Sequence, residues 1–199
     1  MNDLPARAFI GVGSSLQPEE NVTKALASLE DAPGVTLAGI STFYRTAPLS
    51  DPTRTAPAPG HGPGDPDPDF LNGVLEIRTV LGPIQLLDLL RGIESALGRE
   101  RPANRYAPRT MDLDLLLYGK GEEGESALLW EEIGAQGVMA HRDIEGRAFV
   151  ALPLMELAPD LILPPHRIPL RALAATFDSP GGHPETGYTE TLRSRFLHP

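Results

Sequence analysis

Asp112 and Asp114, one residue apart in the run Pro108-Arg109-Thr110-Met111-Asp112-Leu113-Asp114-Leu115-Leu116-Leu117, are the pair in this sequence best placed to do chemistry. Met111, Leu113, Leu115 and Leu117 alternate with Thr110, Asp112, Asp114 and Leu116, the period of a β-strand. Residues two apart on a strand share a face, with Cα atoms roughly 6–7 Å apart. Both carboxylates are therefore expected on one side, and the oily residues, Leu117 included, on the other. Like charges so close repel unless something positive lies between them. Mg²⁺ suits such a pair, because it takes one or two carboxylates and completes its shell with water and phosphate oxygens. Arg91, Arg99, Arg101, Arg105 and Arg109 stand just upstream, five of the seventeen basic residues. Guanidiniums grip phosphate with paired donors. Metal-binding acids beside them point to phosphoryl-type transfer.

Composition narrows the class. A chain of 199 residues fits one compact domain with additions, and 41% hydrophobic with 22% charged residues is ordinary for a soluble globular protein. The net charge of −10 argues against general nucleic-acid binding, which needs a basic surface. It leaves room for a small polyanionic ligand where arginines are concentrated. Cysteine is absent, which excludes disulfides, Cys–zinc sites and a cysteine nucleophile. No apolar run reaches the roughly 18 residues of a membrane span, and residues 1–7 lack the features of a signal peptide. A cytoplasmic location is the expectation.

The elements that must position the aspartates follow from the pattern. Ala8 to Gly13 reads as a first strand, ending in the turn Gly13-Ser14-Ser15-Leu16, a possible phosphate cradle that reads better as a plain tight turn, since it lacks a Walker lysine. Pro18-Glu19-Glu20 opens a helix whose stripe is Val22, Ala25, Leu26 and Leu29. Residues 35–46 read as one strand, 70–77 as the next, 83–98 as a second helix, and 99–108 as an arginine-bearing loop into the aspartate strand. Residues 48–69 are so rich in Pro and Gly that they read as a long loop, either a lid or an insertion. A third helix is expected over 145–157, interrupted by Pro153, and a short one over 169–177. Residues 178–199 read as a loosely held polar tail, which leaves 1–177 as a single domain. The order β-α-β-β-α-β is that of a ferredoxin-like α+β sandwich, an antiparallel sheet flanked by helices, here with C-terminal helical additions.

These blocks together resemble the 6-hydroxymethyl-7,8-dihydropterin pyrophosphokinase family. Arg105-Tyr106-Ala107-Pro108-Arg109-Thr110-Met111-Asp112-Leu113-Asp114-Leu115-Leu116 matches its hallmark. Gly11-Val12-Gly13-Ser14, Phe43 to Leu49, Phe70-Leu71-Asn72, and His141 followed by Arg147-Ala148-Phe149 stand in the family's order. The resemblance implies transfer of pyrophosphate from ATP to the pterin hydroxymethyl group, giving AMP, in folate biosynthesis. It implies two Mg²⁺ ions on Asp112 and Asp114, with Arg109, Arg99 and Arg101 neutralising phosphate charge. Glu94, Leu115, His141, Arg142 and Arg147 are implied on the ATP side with Arg109. Phe70 and Phe149 are implied as a pterin sandwich, with Asn72, Thr46, Ala47 and Leu49 along its edge. The partners implied are small molecules only, with no nucleic acid and no membrane, and a monomer. Ser15, Pro102, Tyr106, Gln136 and Ala140 depart from the family's usual residues. Asp-x-Asp recurs on many folds, so another Mg²⁺-dependent transferase or nuclease, and a non-catalytic binding module, remain open at this point.

Overall fold

β1 (Ala6–Ser14) occupies the middle of the sheet, buried on both faces, between β4 (Phe70–Thr79) and β5 (Asp112–Lys120). The computed structural model describes residues 5–48, 67–99, 108–120, 129–130, 143–163 and 168–198. The region expected as one strand over 35–46 is two, β2 (Val35–Ile40) and β3 (Tyr44–Thr46), and both pair with β4. The break falls where the Ser41 side chain, rather than a strand carbonyl, accepts the Val74 N–H at 2.9 Å. With β6 (Leu129–Trp130) and β9 (Gly182–Pro184) at its edges, the antiparallel sheet runs β6-β5-β1-β4-β3-β9, and β2 lies on β4. The core order β1-α1-β2/β3-β4-α2-β5 is the expected ferredoxin-like sandwich.

Helix α1 (Pro18–Glu30) starts after Gln17, whose φ of 46° turns the chain, and the Leu16 carbonyl accepts the Asn21 side-chain amide at 2.7 Å. Its buried stripe is Val22, Ala25, Leu26 and Leu29, as the spacing requires. Helix α2 (Pro83–Ala96) is capped by the Gln85 side chain, which accepts the Gly82 N–H at 2.9 Å. Both pack on one face of the sheet with α6 (Thr186–Phe196), over a core that includes Ile10, Leu75 and Met111. Truncating a fully buried residue there, such as Leu26 to Ala, costs about 2–5 kcal/mol. The other face holds Phe9, Val74, Leu116 and Leu117 against α3 (Asp143–Gly146), α4 (Ala148–Leu157) and α5 (Leu170–Ala174). The helix expected over 145–157 is thus two, parted at Arg147, and α4 runs through Pro153 because Val150, Ala151 and Leu154 are buried along it. β7 (Ile162–Leu163) and β8 (Ile168–Pro169) form a separate pair.

Two further expectations are corrected. In the β1–β5 register, Phe9 faces Leu117 and Ile10 faces Leu115, so Leu116 is the extra residue of a bulge. The bulge sends Leu117 to the same side as Leu116, away from Met111, Leu113 and Leu115. Residues 178–199 are not a loose tail either. β9 extends the sheet from β3, and α6 buries Thr189, Leu192 and Phe196, because its apolar residues, sparse in sequence, fall on one side of the helix.

Candidate active site

Asp112 and Asp114 face a cleft at the end of the sheet, opposite Gly13 and Gly11 of β1 respectively. The cleft floor is bare because those β1 positions are glycine. A Cβ on Gly13 would stand 3.0 Å from Asn72 Oδ1, and one on Gly11 would stand 3.2 Å from Leu116 Cδ2. Asp112, Asp114 and Leu116 share the face, so the period-two spacing holds through the acids and fails only at the bulge.

The charged end is built by short-range connections. The Arg109 guanidinium pairs with Asp112, and Arg99 pairs with both Asp112 and Glu94. Glu94 lies below the surface, 4% exposed, and accepts the Leu113 N–H at 2.8 Å, which ties α2 to β5. Gly98, at φ 75°, ends α2, and the Arg99 N–H bonds the Glu94 carbonyl at 3.0 Å. Burial acts to lower the Arg99 pKa, but the carboxylates of Asp112, Glu94 and Asp114 together hold it above the ordinary arginine value. The serines of the glycine-rich turn point at the same segment. Ser15 Oγ accepts the Arg109 N–H at 3.0 Å, and Ser14 Oγ donates to the Thr110 carbonyl at 2.6 Å. Gly13 and Ser14 belong to β1, so the chain turns only at residues 15–17 and not over 13–16 as expected, and the two serines fix the backbone of Arg109 and Thr110.

The apolar end is assembled from distant segments. Phe70 at the start of β4, Asn72 two residues on, Thr46 at the end of β3, Ala47 after it, and Phe149 in α4 all line the cleft. Asn72, nearly buried, donates from Nδ2 to Thr46 Oγ1 at 2.8 Å. Phe70 and Phe149 are half-buried, with ring surface left open to a flat ligand. Arg109 lies 5.8 Å from the Phe70 ring centre and Arg147 lies 5.6 Å from that of Phe149. Arg109 therefore touches both ends.

Of the residues singled out in the sequence, Thr46, Ala47, Phe70, Asn72, Arg109, Asp112, Asp114, Arg147 and Phe149 converge on this cleft. Arg99 and Glu94 stand behind its acidic end. Leu115 does not face the cleft. Its side chain, 2% exposed, lies in the core on the other side of β5, because strand alternation sends it opposite to Asp114. Leu49, Arg101, His141 and Arg142 lie outside the described residues. Asp143 also lines the cleft and was not anticipated, although its ion pair with Arg147 at 3.0 Å follows the i,i+4 spacing of a helical turn.

Among the described residues no group of three or more His, Cys, Asp or Glu forms a protein cage for a metal. Two carboxylates on one strand face at an open cleft fit Mg²⁺ nonetheless, since that ion keeps waters and binds phosphate oxygens beside one or two carboxylates.

Comparison with known proteins adds to this geometry. The sequence model of the family 7,8-dihydro-6-hydroxymethylpterin-pyrophosphokinase (HPPK) matches residues 9–159. A 2-amino-4-hydroxy-6-hydroxymethyldihydropteridine pyrophosphokinase of Pseudomonas aeruginosa is 39% identical over 170 residues, 85% of this chain and 91% of that one. Its counterpart in Haemophilus influenzae is 37% identical over 162 residues, 81% of this chain and 87% of the other. Among solved structures, a Plasmodium falciparum HPPK-DHPS triple mutant with SDX-DHP superposes with a TM-score of 0.57 at 12% identity, a likeness of fold alone. The match takes in 99% of this chain and 46% of that one, so the chain spans less than half the length of that protein.

Proposed function

The chain belongs to the 7,8-dihydro-6-hydroxymethylpterin-pyrophosphokinase family, a family of enzymes, and from that premise we propose how its cleft transfers pyrophosphate to the hydroxymethyl group of 6-hydroxymethyl-7,8-dihydropterin in folate biosynthesis. The observation that carries the account is that the Asp112/Asp114 pair and Arg109 open onto the same cleft as Phe70 and Phe149. A site for phosphate chemistry then adjoins a site for a flat aromatic ring.

ATP is the donor. The pterin hydroxyl oxygen attacks the β-phosphorus, the bond from that phosphorus to the oxygen bridging the α-phosphorus breaks, and AMP departs. Phe70 and Phe149 stack the pterin faces, while Asn72, Thr46, Ala47 and Leu49 meet its edge. Asp112 and Asp114 would hold Mg²⁺, two ions, which when bound would screen triphosphate charge and acidify the attacking hydroxyl. Asp114 is the carboxylate nearest that hydroxyl. Arg99 and Arg109 exchange their hold on Asp112 for phosphate oxygens as the nucleotide enters. Arg109 and Arg101 then neutralise charge as the phosphate bond breaks. His141, Arg142 and Arg147 grip the nucleotide. Glu94 acts from beneath by fixing Arg99 and the start of β5. The residues that line the cleft all fall within 1–177, and the enzyme works as a cytoplasmic monomer on small molecules.

Incubation with ATP, Mg²⁺ and hydroxymethyldihydropterin tests the account. AMP and the pterin diphosphate should form in equal amounts, and a chelator should stop both. ADP as the nucleotide product, or ATP consumption that does not depend on the pterin, would overturn it.

A further inference from the structure

The segment Gly182 to Phe196 lies beyond residues 9–159, which match the family, yet it is bonded to the supports of both walls of the cleft's apolar end. β9 sets Gly182 opposite Thr46 and His183 opposite Arg45. The fit is close: a Cβ on Gly182 would stand 2.2 Å from the Arg45 carbonyl oxygen and 2.8 Å from Thr46 Cγ2. α6 adds anchors. Buried Thr189 Oγ1 accepts the Phe43 N–H at 3.0 Å, the Phe43 carbonyl accepts the Glu185 N–H at 2.8 Å, and Glu185 Oε1 accepts Arg45 Nε at 2.8 Å. Arg193 donates to the Ile40 carbonyl at 2.9 Å and to Glu156 of α4 at 2.6 Å. Glu156 in turn accepts the Thr42 N–H at 2.8 Å. One helix therefore clasps the β2–β3 connection, which leads to Thr46, and α4, which bears Phe149.

None of these anchoring residues lines the cleft. Their hold reaches it by two contacts. The Thr46 hydroxyl accepts the Asn72 side-chain amide at 2.8 Å. The Phe43 ring lies under Gly73 of the cleft floor, where an added Cβ would come within 2.8 Å of it. A strand as short as β3, three residues, is weakly fixed by one neighbour, and pairing on its second edge restrains it.

We propose that the β9–α6 segment is a positioning element for the pterin: it holds Phe43 and Arg45, and through them sets Thr46 and Asn72 at the correct distance from Phe149. This rests on the reading above that those three residues receive the pterin. The segment then governs affinity for the pterin and leaves the phosphate chemistry at β5 unaltered.

Steady-state kinetics of Thr189→Val, Thr189→Ser and Gly182→Ala test it, with calorimetric titration of hydroxymethyldihydropterin as a second readout. Valine keeps the shape of threonine without the acceptor, serine keeps the acceptor, and alanine at 182 pries β9 from β3. Thr189→Val should raise the KM for the pterin roughly three- to tenfold, the effect of one buried hydrogen bond, with kcat and the KM for ATP within about twofold of wild type. Thr189→Ser should restore the pterin KM, and Gly182→Ala should repeat the valine signature. If Thr189→Val does not stay folded at the assay temperature, Gly182→Ala decides alone. An unchanged pterin KM, or parallel losses in kcat and both KM values, would overturn the proposal. A wild type that makes no pterin diphosphate would bring down the functional reading and this inference with it. An active wild type that its folded variants match sinks the positioning role only.

Discussion

At one end of the cleft Asp112 carries two guanidiniums, Arg99 and Arg109, while Glu94 holds Arg99 from beneath and Ser15 holds the Arg109 backbone. At the other end Thr46, Phe70, Asn72 and Phe149 present ring surface and one amide–hydroxyl hydrogen bond, contributed by β3, β4 and α4. The charged end is rigid through ion pairs among residues 94–114, nearly all of them close in sequence. The apolar end depends on three separate elements meeting, and two of them are tied by α6. In the proposed function, binding of a neutral ring and handling of a triphosphate would thereby fall to parts of the fold that can be disturbed independently.

The largest effect should come from the acids. Asp114→Ala and Asp112→Ala should lower AMP formation by roughly 10³-fold or more, since several kcal/mol of charge stabilisation would go with the Mg²⁺ they are proposed to hold. Pterin binding measured by calorimetry should survive in Asp114→Ala, and its loss there would break the division between the two ends. Arg109→Ala comes next. Loss of one preorganised charge donor should cost about 10²–10³ in kcat with the fold intact by circular dichroism. Because Arg109 also covers Phe70, that variant should raise the pterin KM as well. A purely catalytic defect would place Arg109 at the charged end alone. Phe149→Ala should act on the apolar end only, with the pterin KM rising about three- to tenfold for a stacking loss of ~0.5–1.5 kcal/mol and the ATP KM unchanged.

The smallest effect concerns α6. Burial, opposed by the hydrogen bond to Thr23 and reinforced by Glu19, pushes the Tyr188 phenol up to about 12. An unfolded chain releases that proton near pH ~10. The contribution of the neutral phenol is therefore fully present below about pH 10 and is lost as pH rises through about 12. Denaturant melts across this window should show the decline, and Tyr188→Phe should flatten it. Equal slopes would mean that α6 does not bury this group in solution.

The acidic strand was legible because its signal is contiguous. Alternation over residues 110–116 sets Asp112 and Asp114 on one face whatever surrounds them, and Pro108-Arg109 supplies the neighbouring charge. The helices α1 and α2 were legible for a similar reason, since their apolar residues recur every three or four positions and Pro and Gly mark their ends. What misled was local as well. Leu117 continues the alternation in sequence, but a bulge opposite Phe9 and Ile10 reverses it, and nothing in the run of leucines announces a bulge. Residues 178–199 look polar because α6 contributes only a narrow buried stripe, whose value depends on α1 and β2 being there to receive it.

By itself, then, the sequence determined the ferredoxin-like order of elements, the family and the paired carboxylates with their arginine, because each is written in short-range spacing that the backbone converts directly into a shared face. Tertiary structure alone decided that Phe149, in α4, stands in the same cleft as Phe70, that a bulge turns Leu117 to the side of Leu116, and that β9 and α6 brace the β3 rim. Those outcomes turn on which side of a strand meets which helix, and the long-range packing that settles this leaves no period in the chain to read.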